Sequence, residues 1–221
     1  MKFVHIADMH FDMPFTLLSD RANMGEIRRL DQRKAFKKMI EYIKENKIEY
    51  LFIAGDFYEH NYIRESTINF INEEFKQIPE TKIYITPGNH DPILKNSFYS
   101  KYSWNSNVKI FKSNPEKIET EECDIYGFGF DDFYMKDSKL DDIQIDNKEK
   151  INILITHGSV DSSTIEDRNY NPMSSKILKQ KGFDYIALGH IHKRGEFYPG
   201  SMVSLGFDEL RRTWNDSWNN K

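Results

Sequence analysis

The sequence contains a single cysteine, Cys123, among its 221 residues. One cysteine cannot form an internal disulfide or a cysteine-based zinc site, and scarce cysteine is typical of proteins in a reducing compartment. No apolar stretch of the kind found in secretory signals opens the chain, because Asp8 and His10 come too early. We therefore expect a cytoplasmic location.

Long apolar runs and a strong net charge are also missing. No stretch approaches the roughly 20 apolar residues that a membrane span needs, so we expect no membrane association. The 31 basic and 35 acidic residues give a net charge of −4, unlike the basic surfaces of proteins that wrap nucleic acid. A small cationic site or a bound metal could still hold a phosphate.

Short β-branched and aromatic runs alternate with stretches of helical periodicity, and this alternation predicts an α/β domain with a mainly parallel core. The segment 105–130 predicts short, partly antiparallel strands, because its apolar runs are brief and lack helical spacing. The predicted strands are "KFVHIAD", "YLFIAGD", "KIYITPG", "INILITH" and "DYIALGH", and the predicted helices are 31–46, a stretch containing Ile68, Ile71 and Phe75, and 173–182, with Gly182 as a cap.

Chemically active side chains collect where these strands end. The motifs are "ADMH", "AGD", "PGNHD", "THG" and "GHIH", and they contain five of the seven histidines. In parallel sheets, ligands bind beyond the carboxyl ends of the strands, so residues far apart in sequence meet there. In extended backbone, Asp8 with His10, and His190 with His192, would project to one side. Carboxylate, imidazole and amide ligands suit Mn²⁺, Fe²⁺ or Zn²⁺ better than Ca²⁺.

Each motif alone has an ordinary structural explanation. Asp8 with His10 could cap a turn, Gly55 with Asp56 is a common turn pair, and His157 could be a packed histidine. All five motifs in this order at strand ends favour a metal site instead.

The motifs resemble those of the calcineurin-like metallophosphoesterases, which carry DxH, GD, GNH[DE], H and GHxH in this order. The stretches "HIADMHFDMPF", "GDFYEH", "GFDYIALGHIHKR" and "YPGS" further resemble the Mre11/SbcD branch of DNA repair exonucleases, over roughly residues 1 to 209. The resemblance implies a four-layer αββα sandwich of two mixed β-sheets flanked by helices. It also implies hydrolysis of DNA phosphodiester bonds by water that two divalent ions activate, with Mn²⁺ favoured over Fe, Zn or Mg.

The resemblance also implies roles for individual residues. Asp8, His10 and His192 would hold one metal, Asn89, His157 and His190 would hold the other, and Asp56 would bridge the two. His90 would donate a proton to the leaving oxygen, and Asp91 would orient His90 or a neighbour. The expected substrate contacts are Tyr58, His60, Lys193 and Arg194, whereas His5 is expected to be a packed structural histidine.

Partners and domain limits follow from the same resemblance. We expect a nuclease domain over 1–209 and a polar tail over 210–221 that carries Trp214 and Trp218, without the capping domain of the family. Expected partners are DNA, an SMC-like ATPase subunit that the capping domain would bind, and a second copy docked through 64–77. The same metal core would also suit a small-molecule or nucleotide phosphodiesterase or phosphatase, and a non-catalytic scaffold is the third alternative.

Overall fold

A computed structural model describes residues 1–14, 24–161, 169–190 and 201–203. Within these ranges, helices and strands alternate in the first half and strands dominate the second. In chain order the elements are β1 (Phe3–Ile6), α1 (Met24–Glu45), β2 (Tyr50–Ala54), α2 (Glu65–Lys76), β3 (Lys82–Thr86), α3 (Phe98–Lys101), β4 (Val108–Ile110), β5 (Glu116–Glu119), β6 (Cys123–Gly127), a 3₁₀ turn (Leu140–Asp142), β7 (Ile151–His157), α4 (Ser175–Lys181), β8 (Tyr185–Gly189) and β9 (Ser201–Val203).

The strands form two sheets. The first has the order β1-β2-β3-β4 and the second the order β5-β6-β7-β8-β9. All described pairs of the first sheet are parallel, whereas the prediction gave two mixed sheets. The second sheet is mixed, because β5 pairs antiparallel with β6 while β6 to β9 are parallel.

Strand residues alternate between two apolar layers, which explains why the strands read as continuous apolar runs. In β2, Tyr50 and Phe52 pack between the sheets, while Leu51 and Ile53 pack against the helices. In β7, Ile153 lies between the sheets, and a third cluster covers the opposite side of the second sheet, with residues of α4. Burial on both faces is typical of parallel strands. The predicted αββα sandwich is confirmed.

The helices differ from prediction mainly at their ends. Helix α1 begins at Met24 rather than at residue 31. The apolar spacing did not predict this first part because Ile27 and Leu30, which are 47% and 51% exposed, lie outside the buried apolar stripe. Helix α4 ends as predicted, with Gly182 in a left-handed conformation at φ 82°. Among the described residues, none of the helices is both long and apolar enough to cross a bilayer.

The proposed dimer segment 64–77 lies on α2. Its apolar residues Ile68, Ile71 and Phe75 are buried against the first sheet. The outward positions Glu65, Ser66, Asn69, Glu73 and Lys76 are polar or charged. A stable homodimer interface is usually rich in apolar residues, so α2 offers little for one, and the homodimer stays a prediction. The predicted tail 210–221 lies outside the described residues.

His5 gives the stability of this fold a pH dependence. As predicted for a structural histidine, its Nδ1 lies 3.1 Å from the hydroxyl oxygen of Tyr185. Burial lowers the pKa of His5 to about 3, so below pH 6.5 the unfolded chain binds a proton that the folded chain does not. The free energy of unfolding therefore falls as the pH drops through this window.

We expect wild-type protein to lose up to about 2 kcal/mol more stability between pH 7 and pH 5 than a His5→Leu variant loses. Urea unfolding at both pH values measures the difference. An equal loss in both proteins would show that His5 is not held neutral in the fold.

Candidate metal centre

The predicted ligands gather at the carboxyl ends of neighbouring strands. The segment after β1 runs beside the segment after β2, because the Asp8 amide donates to the Gly55 carbonyl at 3.1 Å and the His10 amide to the Asp56 carbonyl at 2.9 Å. His157 ends β7, and its register partner Gly189 ends β8 just before His190. These candidate ligands therefore lie together at the edge predicted from the sequence.

The backbone conformation of the DxH motif is not the predicted one. Asp8 and His10 have φ values of 52° and 48°, and Asp56 and His190 have 50° and 106°. These residues occupy the left-handed region rather than extended backbone, so projection of alternate residues to one side does not explain why Asp8 and His10 share the site. Non-glycine residues in this region cost roughly 1–3 kcal/mol each and cluster at functional sites.

Asp56 is the centre of the site. Its carboxylate is 2% exposed, and Oδ2 lies 3.2 Å from His157 Nε2 and 3.9 Å from His10 Nε2. The other oxygen, Oδ1, accepts the His90 amide at 2.8 Å. Asp56 therefore contacts residues from three motifs that are separate in sequence.

Glycine lets the strands approach this carboxylate closely. A Cβ at Gly55 would collide with the His157 ring, and Gly55 also has a φ of 83°. A Cβ at Gly88 would collide with the Asp56 carboxylate. A larger residue at either position would therefore collide with a candidate ligand, which explains why glycine stands in the "GD" and "GN" motifs.

The charges of Asp56 and His157 stabilise each other. Burial alone would raise the pKa of Asp56, but the charge and hydrogen bond of His157, with His10 and His90 nearby, hold the pKa well below its ordinary value. Burial would lower the pKa of His157, yet Asp56 raises it to about 9. A second hydrogen bond joins His157 Nδ1 to the Ala54 carbonyl at 2.9 Å and fixes the ring orientation.

Sequence reasoning missed Glu59, which joins two histidines of the site. Its carboxylate lies 2.7 Å from His10 Nδ1 and 3.0 Å from His90 Nδ1, and the residue is 8% exposed. The two imidazole rings meet edge to face with centroids 4.7 Å apart. The acidic residue three positions after Asp56 in "GDFYEH" was the available signal.

Glu59 sets the protonation of these histidines. The hydrogen bond that the His90 ring donates to Glu59 is the main reason that the pKa of His90 rises to about 9, against the opposing effect of burial. The pKa of His10 is also raised, because the contacts with Glu59 and Asp56 outweigh its burial. Burial would raise the pKa of Glu59, but the bonds to both histidines lower it to about 2.

Asp91 holds a neighbouring backbone segment rather than the His90 ring. Its carboxylate accepts the amides of Asp56 at 3.0 Å and Phe57 at 2.8 Å, and the Tyr99 hydroxyl at 2.6 Å. Of the two roles expected for Asp91, the geometry fits the orienting of a neighbour, since these bonds fix the main chain that carries Asp56. The side chain hydrogen-bonded to the His90 ring is Glu59.

Three further predicted ligands border the site. The Asp8 carboxylate accepts the His190 amide at 3.0 Å, and the Asn89 Oδ1 lies 3.2 Å from His157 Nε2. The His190 ring packs edge to face on the His157 ring with centroids 5.2 Å apart. The predicted ligand His192 and the predicted substrate contacts Lys193 and Arg194 lie outside the described residues.

The remaining two predicted substrate contacts, Tyr58 and His60, differ in their exposure and position. Tyr58 is fully buried at 0% exposure, with its ring centroid 4.9 Å from that of Tyr99, so it does not reach a surface where substrate could bind. His60 is half-buried, its ring lies against Phe133 at 5.9 Å, and its amide donates to the His90 carbonyl at 2.9 Å. His60 therefore borders the site.

The donor atoms fit a pair of divalent ions. In the described part of the chain, His10, Asp56 and His90 form one group whose donor atoms lie within 4.8 Å of one another, and Asp56, His157 and His190 form another. Asp56 belongs to both groups, as a bridging ligand would. Imidazole nitrogens and carboxylate oxygens are ligands for Mn²⁺, Fe²⁺ and Zn²⁺.

A Glu59→Gln variant tests how the histidine protonation is set. Removing the Glu59 charge should lower the pKa of His90 from about 9 toward its ordinary value of about 6.5. NMR titration of the ring in metal-free protein measures it. Glu74→Gln, at a buried glutamate 6% exposed on α2, is the control and should leave His90 unchanged. An unaltered His90 in Glu59→Gln would contradict the assignment.

Comparisons with known proteins agree with this geometry. The chain is 28% identical over 226 residues to the uncharacterized metallophosphoesterase YhaO of Bacillus subtilis, covering 95% of this chain and 55% of that protein. It is 25% identical over 253 residues to the SbcD subunit of the nuclease SbcCD of Staphylococcus epidermidis, covering 96% and 64%. It is 24% identical over 243 residues to the DNA double-strand break repair protein Mre11 of Methanopyrus kandleri, covering 96% and 51%.

The chain thus spans between about half and two-thirds of the length of these relatives. They include SbcD and Mre11 proteins, the branch that the sequence motifs resemble. The family model for calcineurin-like phosphoesterases matches residues 1–194, a range that contains every side chain of the metal centre, and the chain belongs to that family.

Proposed function

We propose that the chain is a metal-dependent nuclease that hydrolyses DNA phosphodiester bonds with two divalent ions, Mn²⁺ foremost. Asp8, His10 and His192 would hold one ion, Asn89, His157 and His190 the other, and Asp56 would bridge them. Two bound divalent ions supply the charge that activates an attacking water and offsets negative charge on the phosphoryl oxygens.

The observation that carries this proposal is the position of Asp56. One buried carboxylate lies between two sets of histidines that come from different strand ends. Asp91 is equally buried but belongs to neither group of potential ligands, whereas Asp56 belongs to both. This arrangement suits a shared metal ligand.

His90 supports the catalytic part of the proposal. In the metal-free chain, its pKa of about 9 means that the ring carries a proton at neutral pH, the form that a donor to the leaving oxygen needs. Glu59 occupies Nδ1, so Nε2 is the nitrogen that would give the proton. Asp91, which holds the backbone of Asp56, acts on the reaction by positioning.

DNA as the substrate rests on the relatives, two of which are named as part of a nuclease and as a double-strand break repair protein. His60 at the border of the site, with Lys193 and Arg194, would contact the phosphate backbone. The staphylococcal relative is named as one subunit of its nuclease, which supports a partner for this chain, and we propose that this partner is an SMC-like ATPase. The one cysteine, Cys123, is free and buried, which supports the proposed cytoplasmic location.

The function is tested with purified protein, Mn²⁺ and three substrates. We expect nucleotide release from single- or double-stranded DNA, cleavage of bis(p-nitrophenyl) phosphate, and loss of both activities after chelation. Cleavage of the small ester without attack on any DNA would replace the nuclease proposal with a small-molecule phosphodiesterase, which the net charge of −4 favours. Inactivity on all substrates with metal bound would indicate a scaffold.

Two variants separate metal binding from proton donation. His90→Ala should retain both ions and lose roughly 10²–10⁴-fold in turnover, the usual contribution of a general acid. Asp56→Ala should lose bound metal as well as activity, because it removes the shared ligand. Metal analysis after dialysis, together with rates, measures both effects. Equal metal loss in the two variants would make His90 a ligand, in agreement with its closeness to His10 and Asp56.

A further inference from the structure

Asn171 is a buried residue outside the predicted motifs whose side chain contacts the main chain of the candidate ligand His157. Asn171 is 0% exposed, and its Nδ2 donates to the His157 carbonyl at 2.7 Å and to the Thr156 hydroxyl at 3.2 Å. His157 is the last residue of β7. The described pairing of β7 with β8 ends at His157, and the Asn171 side-chain amide hydrogen-bonds to the strand at this end.

The backbone around Asn171 is held on both sides. Its amide donates to the Met135 carbonyl at 2.6 Å, while the Ser159 amide donates to the Tyr170 carbonyl at 2.9 Å and the Met173 amide to the Ser159 carbonyl at 2.8 Å. Asn171 itself has a φ of 47°, a conformation that asparagine tolerates better than most residues. These main-chain hydrogen bonds therefore hold the backbone that places the Asn171 side chain.

Space beside His157 is adapted to this contact. Gly158 has a φ of 151°, and a Cβ there would lie 2.7 Å from the Asn171 Cβ and 2.6 Å from its carbonyl oxygen. Glycine after His157 therefore lets the asparagine reach the histidine carbonyl. The pair explains why "THG", rather than histidine alone, stands at the end of β7.

The same segment also contacts the second histidine of this half of the site. The Tyr170 ring lies on the His190 ring with centroids 5.2 Å apart. Residues 170 and 171 therefore hold His190 and His157, which with Asp56 form one of the two ligand groups. The other group contains His10 and His90, which Glu59 holds from a different part of the chain.

We propose that Asn171 is a positioning residue for the His157 half of the metal centre, an inference that rests on the proposed metal-dependent function. It fixes the main chain of His157 and so the approach of Nε2 to Asp56, without contacting an ion or substrate. Residues that orient metal ligands in this indirect way typically change metal affinity roughly 10–100-fold when they are removed.

The test is Asn171→Gly, which keeps the left-handed backbone available and deletes the amide without adding charge. Calorimetric titration with Mn²⁺ should show one site weakened roughly 10–100-fold and the other within about threefold of wild type. In metal-free protein, the ring NMR signals of His157 should shift while those of His10 and His90 stay in place.

Asn107→Gly is the matched control, because Asn107 Nδ2 also donates to main-chain carbonyls, those of Ile78 at 3.0 Å and Thr81 at 3.1 Å, just before β3 begins. It should lower stability and leave both Mn²⁺ sites unchanged. The inference would be overturned if Asn171→Gly left the Mn²⁺ affinities and the His157 ring signals unchanged. It would also be overturned if the variant weakened both Mn²⁺ sites equally. If wild-type protein binds no Mn²⁺, the proposed function fails, and the metal-free NMR comparison still decides the role of Asn171.

Discussion

The site depends on one constraint, a buried carboxylate that must stay charged. Asp56 is nearly inaccessible to water, and a charge in that environment is stable only with partners of opposite sign. The histidines supply these partners, which is why the pKa of Asp56 falls while that of His157 rises to about 9. The pKa of His90 also rises to about 9, mainly through its hydrogen bond with Glu59 and secondarily through Asp56. Any group that binds here must replace this compensation with positive charge of its own.

The αββα sandwich is the means of meeting that constraint. Parallel strands direct their carboxyl ends to one edge, and the ladders of β1 to β3 and of β6 to β8 bring the ligand-bearing segments together there. The strand interiors need only apolar residues, since each faces either the other sheet or a helix. The strand ends then depart from regular geometry, and Asp8, His10 and Asp56 all adopt positive φ.

The features predicted from sequence are those that a short pattern encodes. Apolar runs predicted the strands, and the short motifs at the strand ends predicted the sheet edge where the candidate ligands lie. The order of the motifs predicted the family. The start of α1 was missed because Ile27 and Leu30 do not follow the helical spacing of the later apolar residues and lie on the exposed face. The predicted backbone conformation of Asp8 and His10 was wrong because the prediction assumed an extended strand beyond Ile6, where β1 ends.

Glu59 and Asn171 were missed for a different reason. Neither belongs to a ligand motif, and each is defined by a contact across the fold, with His10 and His90 in one case and with the carbonyl of His157 in the other. Two carboxylates as close in sequence as Asp56 and Glu59 repel each other when both are buried, unless cationic groups lie near them. The "GDFYEH" stretch therefore indicates nearby cations, which an analysis of apolar periodicity does not detect.

The same electrostatics bears on the proposed phosphodiester substrate, because the chain as a whole carries a net charge of −4. Asp8, Asp56 and Glu59 concentrate negative charge at one edge, and neutral histidines cannot offset it. Protons and divalent ions are alternative sources of positive charge for the same nitrogens, and metal binding to such sites releases protons. In the proposed metal-loaded state, divalent ions would replace protons as the positive partners of these carboxylates, and their charge would favour an anion at this edge of the sheets.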